Sequence, residues 1–208
     1  MNMNEPFFRI LLAASFIVFV GIWLRSFFLS GVKREAFYTS AEGLIVGSLM
    51  RLFLTLGIAG IVGCLVHPNW MAWSALLLPR WIRLMGLPVF ILGICLLIWA
   101  LNSLKRSFSA TLVIKEGHSL VTAGPYRCLQ HPMYTSFIMI WSSFFLLSAN
   151  WFIGLTAMAA YSVIVFFRTP REERMMFDKY GEEYSFYRTH TRRYIPKLAC
   201  LMTIKKKK

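Results

Sequence analysis

The stretch MYTSFIMIWSSFFLLSA at 133–149, separated by Asn150 from WFIGLTAMAAYSVIVFF at 151–167, decides the fold. Each run is apolar over roughly 25 Å at the rise of an α-helix, which is short for a bilayer core of roughly 30 Å. An asparagine between two such runs is typical of a tight turn. The stretch therefore predicts a short hairpin of two membrane-crossing helices with Asn150 at its tip.

The composition of the whole chain agrees with a membrane location. Of its 208 residues, 57% are hydrophobic and 15% are charged, and the mean hydropathy is +0.57. So few charged side chains cannot cover the surface of a water-soluble globule. Further runs long enough to cross a bilayer lie at 7–28, 44–66 and 82–104. We expect an all-α polytopic integral membrane protein with about five transmembrane helices, with N-terminal helices in 1–98 and a functional region in 99–208.

The segment HPNWMAWSALLLP at 67–79 is apolar but differs from the five runs. It carries two prolines and two tryptophans. Proline breaks helix interiors and tryptophan favours the membrane interface. We therefore predict an interfacial or re-entrant piece rather than a sixth crossing.

Positive charge is distributed unevenly along the chain. With the N-terminus outside, all but four of the 23 Lys and Arg residues fall in loops on one face, which the positive-inside rule places in the cytoplasm. The membrane would be the inner membrane of a bacterium or the endoplasmic reticulum of a eukaryote. The net charge of +14 indicates attraction to anionic lipids rather than to nucleic acid. The four exceptions are expected to snorkel from helix ends to the headgroups: Arg9, Arg51, Arg80 and Arg83.

The cysteines and histidines give no metal signal. Their spacings match no common ligand pattern, and we expect no metal site. Because the presumed compartment of the loops is reducing, we expect four unpaired thiols: Cys64, Cys95, Cys128 and Cys200.

Two polar runs interrupt the apolar second half of the chain. They are GPYRCLQHPMY at 124–134 and FFRTPREERMMFDKYGEEY at 166–184. Ionisable groups at the edge of a bilayer are costly and are usually functional. Since the hairpin between the runs returns the chain to the same face, we expect both runs to form one membrane-edge site, made of a cytosolic connector and a C-terminal amphipathic helix.

These residues also carry a resemblance. HSLVTAGPYRCLQHPMY, the hairpin and FFRTPREERMMFDKYGEEYSFYRTHTRRYIP resemble the C-terminal catalytic region of the isoprenylcysteine carboxyl methyltransferase family, which is related to phospholipid methyltransferases. The resemblance covers about 99–197, and both motifs occur in order with a hairpin of the right length between them. One position departs from the family, which usually has Arg-His-Pro where this chain has Gln130 before His131. The glutamine amide can still donate and accept hydrogen bonds.

The resemblance implies an S-adenosylmethionine-dependent methyltransferase acting on a lipophilic acceptor that arrives from the bilayer. In-line attack on a sulfonium methyl needs alignment rather than a nucleophilic side chain, so no catalytic Ser, Cys or metal is expected. The best candidate for the acceptor is the carboxylate of a prenylcysteine-like substrate. The alternatives are a phospholipid amine N-methyltransferase, an NADPH-dependent sterol-type reductase and an inactive membrane scaffold. Membrane lipids are the expected surroundings, with no nucleic acid and no obligate protein partner.

The resemblance also assigns residues. It places Arg168 at the acceptor end, where a guanidinium suits a carboxylate, although snorkelling at a helix end is the alternative. It gives Glu172 the donor's ammonium group or a ribose hydroxyl, with Glu173 as the back-up. The other donor-binding residues lie on the connector and at the start of the hairpin, with the backbone of Gly124 and Pro125 shaping the turn: His118, Ser119, Leu120, Val121, Tyr126, His131, Pro132, Met133 and Tyr134.

The second run allows purely structural roles as well. The segment from Thr169 to Glu172 spells a capping box, with Thr169 as N-cap and Pro170 at the first helical position. Beyond it the pattern predicts an amphipathic segment broken near Gly181, whose apolar face is made by Met176, Tyr180, Tyr184 and Tyr187. The residues that close this segment are expected to fold the tail back over the donor: Arg192, Arg193, Tyr194 and Pro196.

Overall fold

A computed structural model describes residues 6–29, 44–104, 120–196 and 200. This part of the chain is almost entirely helical and has no strands. Short 3-10 helices cover Pro68–Ser74 and Gly124–Arg127, and a π-helical turn covers Ile164–Arg168. The α-helices in chain order are α1 (Pro6–Leu29), α2 (Leu44–Val66), α3 (Arg80–Leu84), α4 (Gly86–Leu104), α5 (Pro132–Ser148), α6 (Trp151–Val163), α7 (Thr169–Tyr180) and α8 (Glu182–His190).

Within the described ranges, four helical stretches are long and apolar enough to cross a bilayer, and α5 is a further, shorter apolar helix. The four stretches are Pro6–Ser26, Ile45–Val66, Arg80–Leu104 and Trp151–Tyr180. The prediction of an all-α polytopic fold with about five spans and a short hairpin is confirmed. The chain is an integral membrane protein.

Helix α5 lies at the centre of the bundle. Ile140, Phe144 and Leu147 are fully buried, and they pack in one cluster with Ile61 of α2 and Leu97 of α4. Its serines donate their hydroxyls to carbonyls of the preceding turn, as at Ser143 to Ile140, so they can be buried without cost. A helix surrounded by other helices contacts little lipid. The short length of α5 is therefore compatible with its place in the membrane.

Asn150 forms the tip of the hairpin, as predicted. Its side-chain oxygen accepts from the backbone N–H groups of Phe152 and Ile153, which caps α6. Its amide donates to Met71 O at 3.2 Å and to Ser74 Oγ at 2.8 Å. The predicted interfacial segment is thereby tied to the hairpin tip. Because every hydrogen-bonding group of the amide has a partner, Asn150 is stable with no exposed surface.

The segment at 67–79 is a 3-10 turn followed by extended chain, not a further crossing. Trp70 and Trp73 are more than half exposed, and Trp73 also packs edge-on against Trp151 at the start of α6. Exposed indoles at helix ends are typical of a membrane interface. These features agree with the prediction of an interfacial or re-entrant piece.

The predicted capping box at Thr169 is wrong. Thr169 is helical, with φ −58° and ψ −46°, and α6 continues into α7 through the π turn without a break. A π turn widens the helix, and Pro170 has no N–H and needs such space because its ring crowds the carbonyl four residues earlier. The continuous helix leaves no orphan N–H groups for Thr169 to cap. Glu172 is free to point elsewhere.

Arg83 does not snorkel to the membrane surface. Its side chain is 4% exposed, its Nη2 donates to Leu147 O at 2.8 Å, and its guanidinium lies 3.7 Å from the centre of the Phe8 ring. The last carbonyls of α5 lack partners within their own helix and therefore attract a cation. Arg83 thus fastens α3 to the end of α5 that is remote from the polar runs.

Candidate active site

The N-terminus of α5 carries the first polar run. Pro132 is the first residue of α5, where its fixed φ suits the helix and its missing N–H needs no partner. His131 precedes it in a non-helical conformation and is 7% exposed. The rings of His131 and Tyr134 are stacked, with centroids 5.4 Å apart and planes 14° apart. His-Pro-Met-Tyr thus places two parallel rings at the start of the helix.

The hydroxyl of Tyr134 connects the two polar runs. It donates to Glu172 Oε2 at 2.6 Å and accepts from Arg168 Nε at 2.9 Å. Glu172 lies in the first turn of α7, and Arg168 is the last residue of the π turn. A carboxylate and a guanidinium are therefore held on either side of one phenol.

Glu173 lies deeper in the same cluster, with a side chain that is 6% exposed. Its Oε2 accepts from Arg193 Nη2 at 2.7 Å and lies 3.4 Å from Arg188 Nη2. Its Oε1 lies 3.5 Å from His131 Nε2, while His131 Nδ1 lies 4.0 Å from Glu172 Oε2. The imidazole is held between two adjacent carboxylates.

The tail after α8 folds back along the loop before α5. The backbone N–H of Gln130 donates to Arg192 O at 2.8 Å, and that of His131 donates to Arg193 O at 3.0 Å. In return, Arg192 N donates to Cys128 O at 3.3 Å. The folding back of the tail is thus observed, and its position over a donor remains a prediction.

Tyr194 fixes the tail to both helices of the site. Its backbone carbonyl accepts from Thr135 Oγ1 at 2.8 Å, and its phenol donates to Thr169 Oγ1 at 2.8 Å. Its ring packs against His131 and Tyr161, with centroids 5.8 Å and 6.0 Å away. The hydroxyl of Thr169, expected to cap α7, serves instead to hold the tail.

Gln130, the residue that departs from the family pattern, holds the end of α8. Its Nε2 lies 3.3 Å from both Arg188 O and Thr191 O, and donates to these carbonyls. Helix C-terminal carbonyls need such external donors. The amide therefore has a definite structural task in this chain.

The turn before α5 depends on Gly124, which has a φ of +62°. A Cβ there would also collide with Ser103 Oγ, so the expected role of Gly124 in shaping the turn is observed.

The Tyr187 phenol donates to Tyr126 O at 2.8 Å and to Leu129 O at 3.1 Å. Burial raises the pKa of Tyr126 and Tyr187, and the charge of Glu172 raises that of Tyr126 further. Both phenols therefore remain neutral, and that of Tyr187 is a hydrogen-bond donor.

Cys128 and Cys200 form a disulfide. The prediction of four unpaired thiols is wrong for this pair, while Cys64 and Cys95 are free. The two sulfurs are 72 residues apart in sequence and meet because the tail returns along the loop that contains Cys128. No local spacing could indicate that return.

The structure brings together four of the expected site residues, and their roles toward a ligand remain predictions. Tyr134, Glu172 and Arg168 are in direct contact, and His131 joins them. Pro132 is buried at the helix start and Met133 packs on the core. Leu120 and Val121 are partly buried and take no part in the contacts just described. His118 and Ser119 lie outside the described residues.

Two contributors were not foreseen. Met50 of α2 lies with its Sδ 3.7 Å from Arg168 Nη1, so the second helix reaches the site. Arg188 of α8 faces Glu173. Each comes from a helix whose own sequence periodicity gives no indication of the neighbour that it meets in the fold.

The site residues fit a polar, partly cationic ligand such as S-adenosylmethionine. Glu172 is 34% exposed and can take an ammonium group or a hydroxyl. Three buried polar atoms of the site have no hydrogen-bond partner, and such atoms are costly unless a ligand or water completes them: Gln130 Oε1, His131 Nε2 and Glu173 Oε1.

In a comparison with known proteins, residues 84–178 match the model of the isoprenylcysteine carboxyl methyltransferase family. The chain is 32% identical over 120 residues to protein-S-isoprenylcysteine O-methyltransferase B of Arabidopsis thaliana. It is 31% identical over 120 residues to protein-S-isoprenylcysteine O-methyltransferase A of the same plant. Each match covers 51% of this chain and 55% of the relative, so the chain spans about half the length of the curated relatives it matches.

A solved structure is also similar to part of the chain. It is described as the eukaryotic intramembrane Ras methyltransferase, isoprenylcysteine carboxyl methyltransferase. The match has 21% identity and a TM-score of 0.49, and it covers 76% of this chain and 53% of that chain.

Proposed function

We propose that the chain, whose residues 84–178 match the model of the isoprenylcysteine carboxyl methyltransferase family, methylates the carboxylate of a prenylcysteine-like acceptor with S-adenosylmethionine as donor. The observation that carries this proposal is the Tyr134 hydroxyl held between Glu172 and Arg168. One side of the phenol offers a carboxylate for a cationic ligand group, and the other offers a guanidinium for an anionic one. A transfer from a sulfonium donor to a carboxylate acceptor brings a cationic and an anionic ligand group into one site.

The donor end of the site is formed by Glu172 and the rings at the start of α5. The donor supplies a methyl group on a sulfonium, and its transfer to a carboxylate oxygen breaks the S–CH3 bond, forms a C–O bond and leaves S-adenosylhomocysteine and a methyl ester. Glu172 is placed to hold an ammonium group or a ribose hydroxyl. The aromatic face of Tyr134 favours a nearby cation by about 0.5–2 kcal/mol.

The acceptor end is formed by Arg168. Its Nε is fixed by Tyr134, which sets the plane of the guanidinium, and its Nη1 lies beside Met50 of α2. A planar guanidinium binds a carboxylate through two parallel hydrogen bonds. An ionised carboxylate needs no general base, so the task of these residues is alignment.

Two exposed aromatic rings next to Arg168 suggest the path by which the acceptor reaches the site. Phe166 and Phe167 of the π turn are more than half exposed, on the membrane-spanning part of the molecule. A prenyl chain would lie in the bilayer near these rings while its carboxylate reaches Arg168. The distribution of positive charge supports a cytoplasmic orientation of this end of the bundle.

The test is a transfer assay with purified protein in lipid nanodiscs and donor labelled at the methyl group. The acceptors are an S-prenylated cysteine with a free carboxylate, its methyl ester, and phosphatidylethanolamine. We expect label in a base-labile ester with the free carboxylate alone. Label on the phospholipid amine instead, or transfer to none of the three, would contradict the proposal. A parallel sample with NADPH and a sterol tests the reductase alternative.

A further inference from the structure

We propose that Arg193 is a positioning residue of the donor site, acting through Glu173 and His131. The proposal rests on the function proposed above and extends it to the C-terminal tail. It makes the tail part of the site, because the residue comes from the segment that folds back after α8 rather than from either polar run.

The first step is the burial of Glu173. Its side chain is 6% exposed and its Oε2 accepts from Arg193 Nη2 at 2.7 Å, while Arg188 Nη2 is farther away at 3.4 Å. A buried carboxylate is stable only where cations and donors compensate for its lost hydration. Arg193 makes the shorter of the two contacts. The neighbouring Gln130 is neutral and directs its amide to carbonyls of α8.

The second step is the connection from Glu173 to the donor end. Its Oε1 faces His131 Nε2 at 3.5 Å, and the imidazole stacks on Tyr134, whose hydroxyl binds Glu172. A carboxylate held in place by Arg193 keeps a negative charge 3.5 Å from the imidazole Nε2, and this attraction limits how the ring can turn. If Glu173 were free to turn, the ring and the phenol behind it would lose that restraint. A chain of contacts thus runs from the tail to the carboxylate assigned to the donor.

The third step is that both the backbone and the side chain of Arg193 are held by hydrogen bonds. Its carbonyl accepts from the backbone N–H of His131, while its side chain reaches Glu173 on α7. The next residue, Tyr194, binds Thr135 and Thr169. Because backbone and side chain bridge the loop and the helix, Arg193 can hold the two polar runs at their observed separation. The adjacent Arg192 has an exposed side chain and contributes backbone bonds to the same pairing.

The test is calorimetric titration of S-adenosylhomocysteine into the 208-residue chain in detergent, for the unmodified chain, Arg193→Ala, Arg193→Lys and Arg174→Ala. We expect Arg193→Ala to bind about fivefold more weakly, as suits a half-exposed ion pair, and Arg193→Lys to recover part of the loss. Arg174→Ala removes the same charge from an exposed position on α7, next to Glu173 in sequence, and should bind as the unmodified protein does. The melting temperature without ligand shows whether each variant is folded.

A second comparison separates positioning from mere structure. In a Glu173→Gln background, Arg193→Ala should cause no further loss of affinity, because its partner no longer carries a charge. Equal affinity of the unmodified protein and Arg193→Ala, or the same fivefold loss in the Glu173→Gln background, would overturn the role of Arg193. Failure of the unmodified protein to bind S-adenosylhomocysteine would instead contradict the proposed function.

Discussion

Arg168 and Tyr134 are in direct contact in this site, because the guanidinium Nε donates to the phenol at 2.9 Å. The family resemblance gives them separate tasks, at the acceptor end and at the donor end. That contact fixes one nitrogen of the guanidinium, while the Tyr134 ring is also held by stacking on His131 and its hydroxyl by Glu172. Tyr134 is therefore better replaced by Phe than by Ala in tests, since Phe keeps the stacked ring and removes only the hydroxyl.

Arg168→Ala is predicted to impair turnover and spare donor binding. Loss of a charge-assisted contact to the acceptor carboxylate should lower kcat/KM for the acceptor about 10- to 100-fold. Affinity for S-adenosylhomocysteine should change by less than about threefold, as Glu172 remains in place. Steady-state kinetics and titration measure the two quantities. An equal loss of donor affinity in Arg168→Ala and Tyr134→Phe would contradict the division of roles.

At the residue scale, the sequence predicted those site residues whose side-chain chemistry could be recognised from the motif in which they stand. His131, Tyr134, Arg168 and Glu172 belong to motifs whose order indicates one site, and the structure brings them together. Arg193 was assigned only a general closing role, since nothing local marks Glu173 as its partner. An ion pair between a tail and a preceding helix depends on how the chain turns after α8.

At the element scale, the hairpin tip provides a direct stability prediction. Asn150→Ala removes the cap of α6 and both amide donors to the 3-10 segment at Met71 and Ser74. The cap alone is worth about 0.5–2 kcal/mol, and the carbonyl and hydroxyl left without a donor add to the loss. We expect a clear fall in melting temperature in detergent.

Ser74→Ala is the matched control for Asn150→Ala. It removes one partner of the amide and leaves the cap of α6 intact, so its melting temperature should lie between those of the unmodified protein and Asn150→Ala. A melting temperature of Asn150→Ala that equals that of the unmodified protein would show that the cap does not hold the tip.

Helix α2 provides a second prediction through Gly57. A Cβ at Gly57 would lie 2.7 Å from Trp141 of α5, whereas one at Gly21 of α1 meets nothing within 4 Å. Gly57→Leu should therefore separate α2 from α5 and α6 and lower the yield of monodisperse protein and its melting temperature. Gly21→Leu makes the same chemical change on an open face and should be tolerated. Similar losses in both variants would contradict the packing described here.

The boundaries of the elements were largely predictable, because apolar length marks a span and Asn or His-Pro marks a helix end. The π turn was not. Pro170 after Thr169 has the sequence of a helix start, and only the continuous packing of α6 and α7 keeps the helix unbroken there. Tertiary packing thus overrides the local signal for a helix start at Thr169. Glu172 consequently binds Tyr134 instead of capping a helix.

At the scale of the whole molecule, the tail, the described loop before α5 and the N-terminus of α5 lie together at one end of the helical bundle. The Cys128–Cys200 disulfide ties the tail to this end in covalent form. Disulfides are rare in reducing compartments such as the cytoplasm. The disulfide therefore disagrees with the cytoplasmic orientation that the distribution of positive charge favours. The two features lead to different expectations about thiols and can be separated by labelling.

Thiol labelling of the denatured, freshly isolated protein is predicted to modify two cysteines before reduction and four after it. The two labelled at first should be Cys64 and Cys95, which are free in the structure. Mass spectrometry after maleimide treatment counts the labels, and Cys200→Ser should leave Cys128 reactive without reduction. Four labels before reduction would show that the tail is held without the covalent bond.

The most direct measurement is calorimetric titration of S-adenosylhomocysteine into the unmodified protein, Tyr134→Phe, Glu172→Gln and the double variant. If the two polar runs hold one donor together, the unmodified protein binds, each single variant binds about tenfold more weakly, and the double variant loses less than the product of the two effects. An unmodified protein that does not bind, or two losses that combine independently, would contradict a donor site shared by Tyr134 and Glu172.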